Sequence, residues 1–278
     1  PAGLPGRTPG GTLARIVTDF SHRGLVNAIE RNSIDFFIDW GRGPGCEVHE
    51  DRGVTWFATG LPDSLFNGVM TAQLPPEDAG RRIDDLLAEF RRRGLPLEWT
   101  VGPSTAPRNL GRHLQAKGLT HVLVVPGMAM DLSELPDEPL PRNLTIERVE
   151  SRADFEAFMR IFASAFGIDE GLVPRLVDIE MGMPSDHRER SAAFLGRLDG
   201  RAVASSGLFA SAGVVGLYSV GTLPAVRGRG LGRAMTVAAL RDGRDRGYRI
   251  GVLQGKEMGV PIYRRLGFRE VSRFEIYT

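Results

Sequence analysis

The sequence holds a single cysteine, Cys46, and two lysines, Lys117 and Lys256. One cysteine excludes an intramolecular disulfide and any thiolate metal cluster, which fits a reducing, cytoplasmic setting. The five histidines (His22, His49, His113, His121 and His187) include no pair at the i, i+4 spacing of a helical metal site, so no metal is expected. No apolar stretch approaches the roughly 18 residues that a membrane helix needs, so no membrane partner is expected. Residues 1–12 are rich in glycine and proline and lack an apolar core. They read as a disordered tail rather than a signal peptide.

What is present is an ordinary globular composition over 278 residues, enough for one large domain or two of common size. Acids outnumber bases up to residue 140, and bases outnumber acids after it. Nearly all positive charge is arginine. Arginine suits bidentate phosphate contacts, although the same bias follows from a GC-rich coding sequence, which carries more weight. Pro136, Pro139 and Pro141 fall within a short stretch that can continue neither a helix nor a central strand, so residues 133–142 read as an extended linker.

The periodicity on either side of that linker is similar. After it come a strand Leu144–Val149 and helices Asp154–Phe166 and Val173–Met181. A hairpin follows, Ala192–Leu198 and Ala202–Phe209, turned at Asp199-Gly200. The remainder reads as a strand Val214–Thr222, a helix Gly230–Arg246, a strand Ile250–Gln254 and a helix Val260–Leu266 stopped at Gly267, then strands near Arg269 and Phe274–Tyr277. Before the linker stand a helix around Leu25–Phe37, strands near Glu47–His49, Thr55–Ala58 and Phe66–Gln73, and a helix Glu77–Arg93. A strand Leu97–Val101, a helix Arg108–Lys117 and strands Val122–Val125 and Met128–Leu132 complete that half. The shared order of its late elements predicts an internal duplication.

The run Arg227-Gly228-Arg229-Gly230-Leu231-Gly232 lies between a strand and a long helix. Glycines let backbone approach a ligand closely, and unpaired amides at a helix start favour an anion. A Walker loop is excluded, because Arg233 and Ala234 follow Gly232 where Lys and Ser/Thr are needed. A dinucleotide fingerprint is excluded too, because Arg233 replaces its third glycine and Gln254 its acid.

The segment Tyr218–Gly232 resembles the acetyl-CoA motif of the GNAT superfamily, a strand followed by R-x-x-G-x-G/A. The run Glu257–Phe268, containing Tyr263-Arg264-Arg265-Leu266-Gly267-Phe268, resembles that family's second motif. The resemblance covers residues 143–278 and implies an α/β (α+β) fold of two tandem GNAT-like domains, each a mixed, mostly antiparallel sheet flanked by helices. Residues 143–278 would be the catalytic domain and residues 13–132 a degenerate repeat. In the repeat, Leu74-Pro75-Pro76-Glu77 replaces the glycine motif and Leu114 stands in for Tyr263.

The resemblance further implies an acyl-CoA-dependent N-acyltransferase, with acetyl-CoA as co-substrate and a primary amine of a small molecule or peptide as acceptor. Val220, Gly221 and Thr222 would face the pantetheine arm, and amides across Arg227, Gly228, Arg229, Gly230, Leu231, Gly232 and Arg233 would hold the pyrophosphate. Tyr263 would protonate the departing thiolate, unless it is a packed aromatic. Lys256 stands where relatives carry Ser or Asn, and either meets a phosphate, reshapes the acceptor mouth or is solvated. Neither Val214–Thr222 nor Ile250–Gln254 offers an acid as general base, which leaves Glu180, Asp186, His187 and Glu257 as candidates through water. Residues 164–172 and 181–189 are expected to shape the acceptor pocket. Trp40, Trp56, Phe57 and Trp99 are expected in the core. Two rivals remain at this point, a catalytically silent CoA sensor and a transferase fed by aminoacyl-tRNA. The latter needs a basic groove, which the acidic first half disfavours, so no nucleic-acid partner is expected.

Overall fold

An apolar stripe of Leu25, Ala28 and Ile29 makes the first helix, α1 (His22–Trp40), amphipathic, and Ser21 caps it by accepting from the Gly24 amide. The computed structural model describes residues 16–278, so the tail expected over residues 1–12 lies outside it. After α1 the first half runs β1 (Glu47–Asp51), β2 (Val54–Ala58), β3 (Asn67–Ala72), α2 (Pro76–Arg93), β4 (Glu98–Val101), α3 (Leu110–Ala116) and β5 (His121–Asp131). The second half opens with β6 (Leu144–Arg148), α4 (Arg152–Phe166), α5 (Val173–Met181) and α6 (Ser185–Arg190). It continues as β7 (Ser191–Leu198), β8 (Arg201–Ser211), β9 (Val214–Thr222), α7 (Leu231–Asp245), β10 (Ile250–Gln254), α8 (Val260–Leu266) and β11 (Arg269–Tyr277). Among the described residues, no helix is long and apolar enough to cross a membrane.

The order from β1 to β5 repeats from β7 to β11, and so does the pairing. In each half two antiparallel neighbours precede one parallel pair, β3 with β4 and β9 with β10. Local chemistry supports the shared elements. Helix α2 starts on Pro76, carries Glu77 and Asp78 in its first turn and Arg91–Arg93 in its last, and stops at left-handed Gly94.

All strands join one sheet in the order β1-β2-β3-β4-β11-β5-β10-β9-β8-β7-β6. The last strand of each half therefore lies beside the other half. Two expectations are corrected here. Val122–Val125 and Met128–Leu132 form one strand, β5, and the strands near Arg269 and Phe274–Tyr277 form one strand, β11. The Pro126-Gly127 pair reads as a break, yet it marks a change of partner. Residues 127–129 of β5 pair with both β10 and β11, residues 130–131 with β10 alone and residues 121–125 with β11 alone. In the same way, Glu275–Tyr277 of β11 add β4 as a partner.

The first helix also crosses between halves. Its Leu25, Ala28 and Ile29 pack with Ala129, Val214, Ile250, Val252 and Phe274, which burial alone stabilises by several kcal/mol on the scale of about 2 per large side chain. At its far end Asp39, 2% exposed, bonds His187 Nδ1 (2.6 Å) and Arg190 (2.6 Å), while His187 Nε2 meets Glu180 (2.7 Å). Arg42 bridges Asp39 and Asp186 at 2.7 and 2.8 Å. Burial opposes charge on His187, but its hydrogen bonds to Asp39 and Glu180 and their negative charges outweigh that and lift its pKa to about 9.

A histidine in the unfolded chain titrates near 6.5, so this network contributes fully below about pH 6.5 and loses its contribution as pH rises through about 9. Denaturant unfolding should therefore show stability falling across that window. His187→Gln should flatten the fall and cost about 3 kcal/mol at pH 6, because Asp39 loses a buried partner. Identical pH dependence in the variant would remove His187 from this role.

Candidate active site

Strands β9 and β10 pair in parallel only from Val215 to Leu217, opposite Gly251 to Leu253, and then part. The edge of β9 beyond Leu217 thus faces a gap. A bulge begins at the same point. Ser205 pairs with Gly221 and Gly207 with Tyr218, so Ser219 and Val220 together stand opposite Ser206. Ser219 has φ +50°, and its carbonyl accepts from Ser205 Oγ at 2.9 Å. Beyond Leu217 the backbone of β9 has no partner in β10, and an amide on that side is the kind of fixed dipole that stabilises a developing oxyanion.

At the end of β9 the chain makes one short turn, Pro224–Val226, and enters the glycine run. Gly228 (φ +77°) and Gly230 (φ +78°) hold left-handed conformations, and a Cβ on Gly228 would project into open space. Ala234 is the first residue to donate back into α7, to Gly230 O at 3.0 Å. The amides from Gly228 to Arg233 have no backbone acceptor among the described residues, so they form a donor cluster at the positive end of a 15-residue helix. The side chains differ in role. Leu231 is buried in the core, Arg227 Nε donates to Thr222 O (3.1 Å), and Arg233 is held by Glu138 of the linker at 2.5–2.7 Å. That pairing keeps the Glu138 carboxyl below its usual range.

Tyr263 lies on α8, its ring edge-on to Phe268 at 5.9 Å. Burial pushes its phenol up to about 12, so it stays protonated at neutral pH. Its ring touches the backbone turn at Gly255 and Gly259. A single cavity of about 710 Å³ joins these parts, lined by Gly228, Gly230 and Gly232 at one end, by Ser219–Thr222 and Tyr263 in the middle, and by aromatic rings beyond.

The aromatic end is built from both halves. Phe36, Phe37 and Trp40 of α1 face Phe162 and Phe166 of α4, with Phe57 and Phe66 closing the side. Phe36 stacks on Tyr218 at 3.6 Å between ring centres, and the Tyr218 hydroxyl donates to Asn32 at 2.7 Å. Trp40 and Phe57 thus line the cavity instead of only filling core, whereas Trp56 and Trp99 are core as expected. Ala165 and Phe166 place the expected segment 164–172 at the pocket. Of residues 181–189, Asp186 and His187 join the Asp39 network, and His187 lines a smaller pocket that shares Phe36, Trp40, Tyr218 and Ser219 with the large cavity.

Of the expected bases, Glu180, Asp186 and His187 are held in ion pairs and do not line the large cavity, and Glu257 is exposed and does not line it either. Lys256 does line it, with Nζ 4.9 Å from the Phe166 ring centre. Two residues escaped the sequence reading. Gln254 lines the gap and has a buried Nε2 without a partner. Glu98, at the start of β4, is the sole carboxylate of the lining among the described residues. Burial raises it to about 7, Lys256 pulls it back in part, and Asp63 adds to the rise. Its signal was absent from the sequence because the half that carries it lacks every motif.

Splayed parallel strands, a bulge at the fork and a glycine turn opening a helix together define the acyltransferase class to which the sequence motifs pointed. A family model described as an acetyltransferase (GNAT) domain matches residues 146–271. A protein named mycothiol acetyltransferase from Arthrobacter sp. (strain FB24) is 32% identical over 229 residues, 76% of this chain and 70% of that protein. Another of that name from Thermomonospora curvata is 30% identical over 196 residues, 68% of this chain and 65% of its own length. The chain belongs to the GNAT family of acetyltransferases. Solved structures agree on the fold. A GCN5-related N-acetyltransferase from Kribbella flavida gives a TM-score of 0.69 at 20% identity, covering 90% of this chain and 94% of its own. A tandem GNAT protein from the clavulanic acid biosynthesis pathway gives 0.60 at 13% identity, covering 94% of each.

The turn that seats Tyr263 depends on the lack of a side chain at Gly259, where a Cβ would stand 2.7 Å from the ring's Cε2. Gly259→Ala should displace the ring and cost about 1–3 kcal/mol in denaturant unfolding. A variant as stable as the parent would show that the ring is free to move.

Proposed function

We propose that this chain transfers an acetyl group from acetyl-CoA to a primary amine of a small molecule or peptide, with residues 143–278 as the catalytic unit and residues 13–132 as a degenerate repeat that walls the acceptor pocket. One observation carries the reading. The unpaired amides, the fork between β9 and β10, and Tyr263 open into one continuous cavity. The relatives named mycothiol acetyltransferase favour a small-molecule acceptor over a protein.

In this reading the amides from Gly228 to Arg233 grip the pyrophosphate, with α7 supplying the dipole. The free edge of β9 at Val220–Thr222 aligns the pantetheine arm as an added strand would. An amide of the bulge faces the carbonyl oxygen where negative charge develops. Tyr263 gives its proton to the leaving thiolate. A phenol near 12 is a weak acid for a thiol near 8.5, but the same dry surroundings raise the thiol as well and narrow the difference.

Calorimetry should detect uptake of acetyl-CoA and free CoA, and none of tRNA. Tyr263→Phe should lower kcat about 100-fold while leaving the acetyl-CoA Kd within about twofold. Failure to take up any CoA species would overturn the reading, and full turnover in the variant would strip Tyr263 of its role.

A further inference from the structure

The established family and the proposed donor leave open which amine enters and what removes its proton. Resting on the proposed reading of the donor site, we propose that the acceptor is an apolar primary amine whose ammonium group sits against Glu98, and that Glu98 takes its proton. The far end of the cavity is walled by Phe37, Trp40, Phe57, Phe66, Phe162 and Phe166, and floored by Leu123, Val125 and Ile276 from the exchanged strands. Polar side chains from the first half are few in the lining, Thr100 and Glu98, and Gln254 and Lys256 join them from the end of β10. An amino sugar would bring more hydroxyls than these groups can pair, and each one left over would cost about 1–3 kcal/mol. An alkyl or aryl side chain would instead bury its surface on rings that suit it.

Glu98 is placed to receive a cation. Its carboxylate has no hydrogen bond or ion pair among the described residues, and the residue is half-buried in the cavity wall. A carboxylate so placed gains by meeting an ammonium group. The charged groups acting on it are Lys256, from the loop after β10, and Asp63, from the turn before Phe66. Tyr218, Tyr263 and Arg265 share the cavity with it. A carboxylate raised to about 7 is matched to proton removal near neutral pH.

The step balances as follows. Glu98 takes one proton from the ammonium and releases it to solvent. The freed lone pair forms the nitrogen–carbon bond, and the carbon–sulfur bond breaks. The sulfur takes the phenol proton of Tyr263, and the second proton leaving nitrogen restores that phenol through solvent. The net products are the N-acetyl amine, CoA thiol and one proton.

The test uses the full chain with acetyl-CoA and thiol release as readout, on 2-phenylethylamine, tryptamine and hexylamine against glucosamine, ethanolamine and a short peptide amine. The apolar amines should exceed glucosamine in kcat/KM by about 100-fold, a discrimination that apolar pockets can reach. Equal or better turnover of the polar or peptide amines overturns the acceptor class. Acetyl-CoA binding without turnover of any of the six also overturns it while leaving the donor site intact, whereas loss of acetyl-CoA binding overturns both. Glu98→Gln should keep the acetyl-CoA Kd and the melting temperature, lower kcat about 100-fold, and abolish the rise of kcat/KM through pH 7. A parental pH profile in that variant overturns the role of Glu98.

Discussion

The exchange of β5 and β11 at the centre of the sheet is the constraint on which the rest of the molecule depends. Each is the last strand of its own half yet pairs only with strands of the other, so neither half completes its sheet from its own residues. The backbone groups of β10 on the side away from β9 are satisfied by β5, a strand encoded over a hundred residues earlier. Unpaired, they would cost far more than the turn residues of either half contribute. The two halves are therefore one folding problem, and the long-range pairing predicts slow closure relative to local hairpins.

The same exchange explains where the aromatic end of the cavity comes from. Leu123 and Val125 of β5 lie beside Ile276 of β11, and α1 lies across the join with Asn32 bonded to Tyr218, Phe209 and Ser211 of the second half. A half that has lost its glycine run still supplies a helix, a hairpin and the head of β4 to the chamber. Degeneracy at Leu74–Glu77 costs the first half an anion site and nothing in packing, because Pro76 starts α2 as well as a glycine would.

Most of this architecture was legible in the sequence where the signal is local. The Gly228–Gly232 turn, the helix after it and the Tyr263–Phe268 run fall within a residue or two of expectation, since each rests on turn chemistry or on a 3.6-residue period. What was not legible is long-range. Pro126-Gly127 has the look of a chain break, and only the neighbouring strands reveal that it is a change of partner. His187 and Asp186 carried no local sign of their bonds to Asp39 and Arg42, about 150 positions away in the chain. Glu98 reads as the polar end of a short strand until the fold sets it in the cavity wall that Lys256 also lines.

In the proposed reaction Glu98 and Tyr263 take the roles of base and acid within one cavity. The physical cause is the same for both, withdrawal from water, which penalises the charged form of each. Applied to a carboxyl, it raises the group to about 7, where it is still ionised often enough to accept a proton. Applied to a phenol, it raises the group to about 12, where it is always protonated and can only give. Desolvation thus drives the two groups into opposite roles at one pH because their starting values lie on either side of neutrality. The positive charge of Lys256 opposes the rise. On this argument the residue at position 256 is tied to the presence of a half-buried acid in the opposite half, which a Ser or Asn at that position would not support.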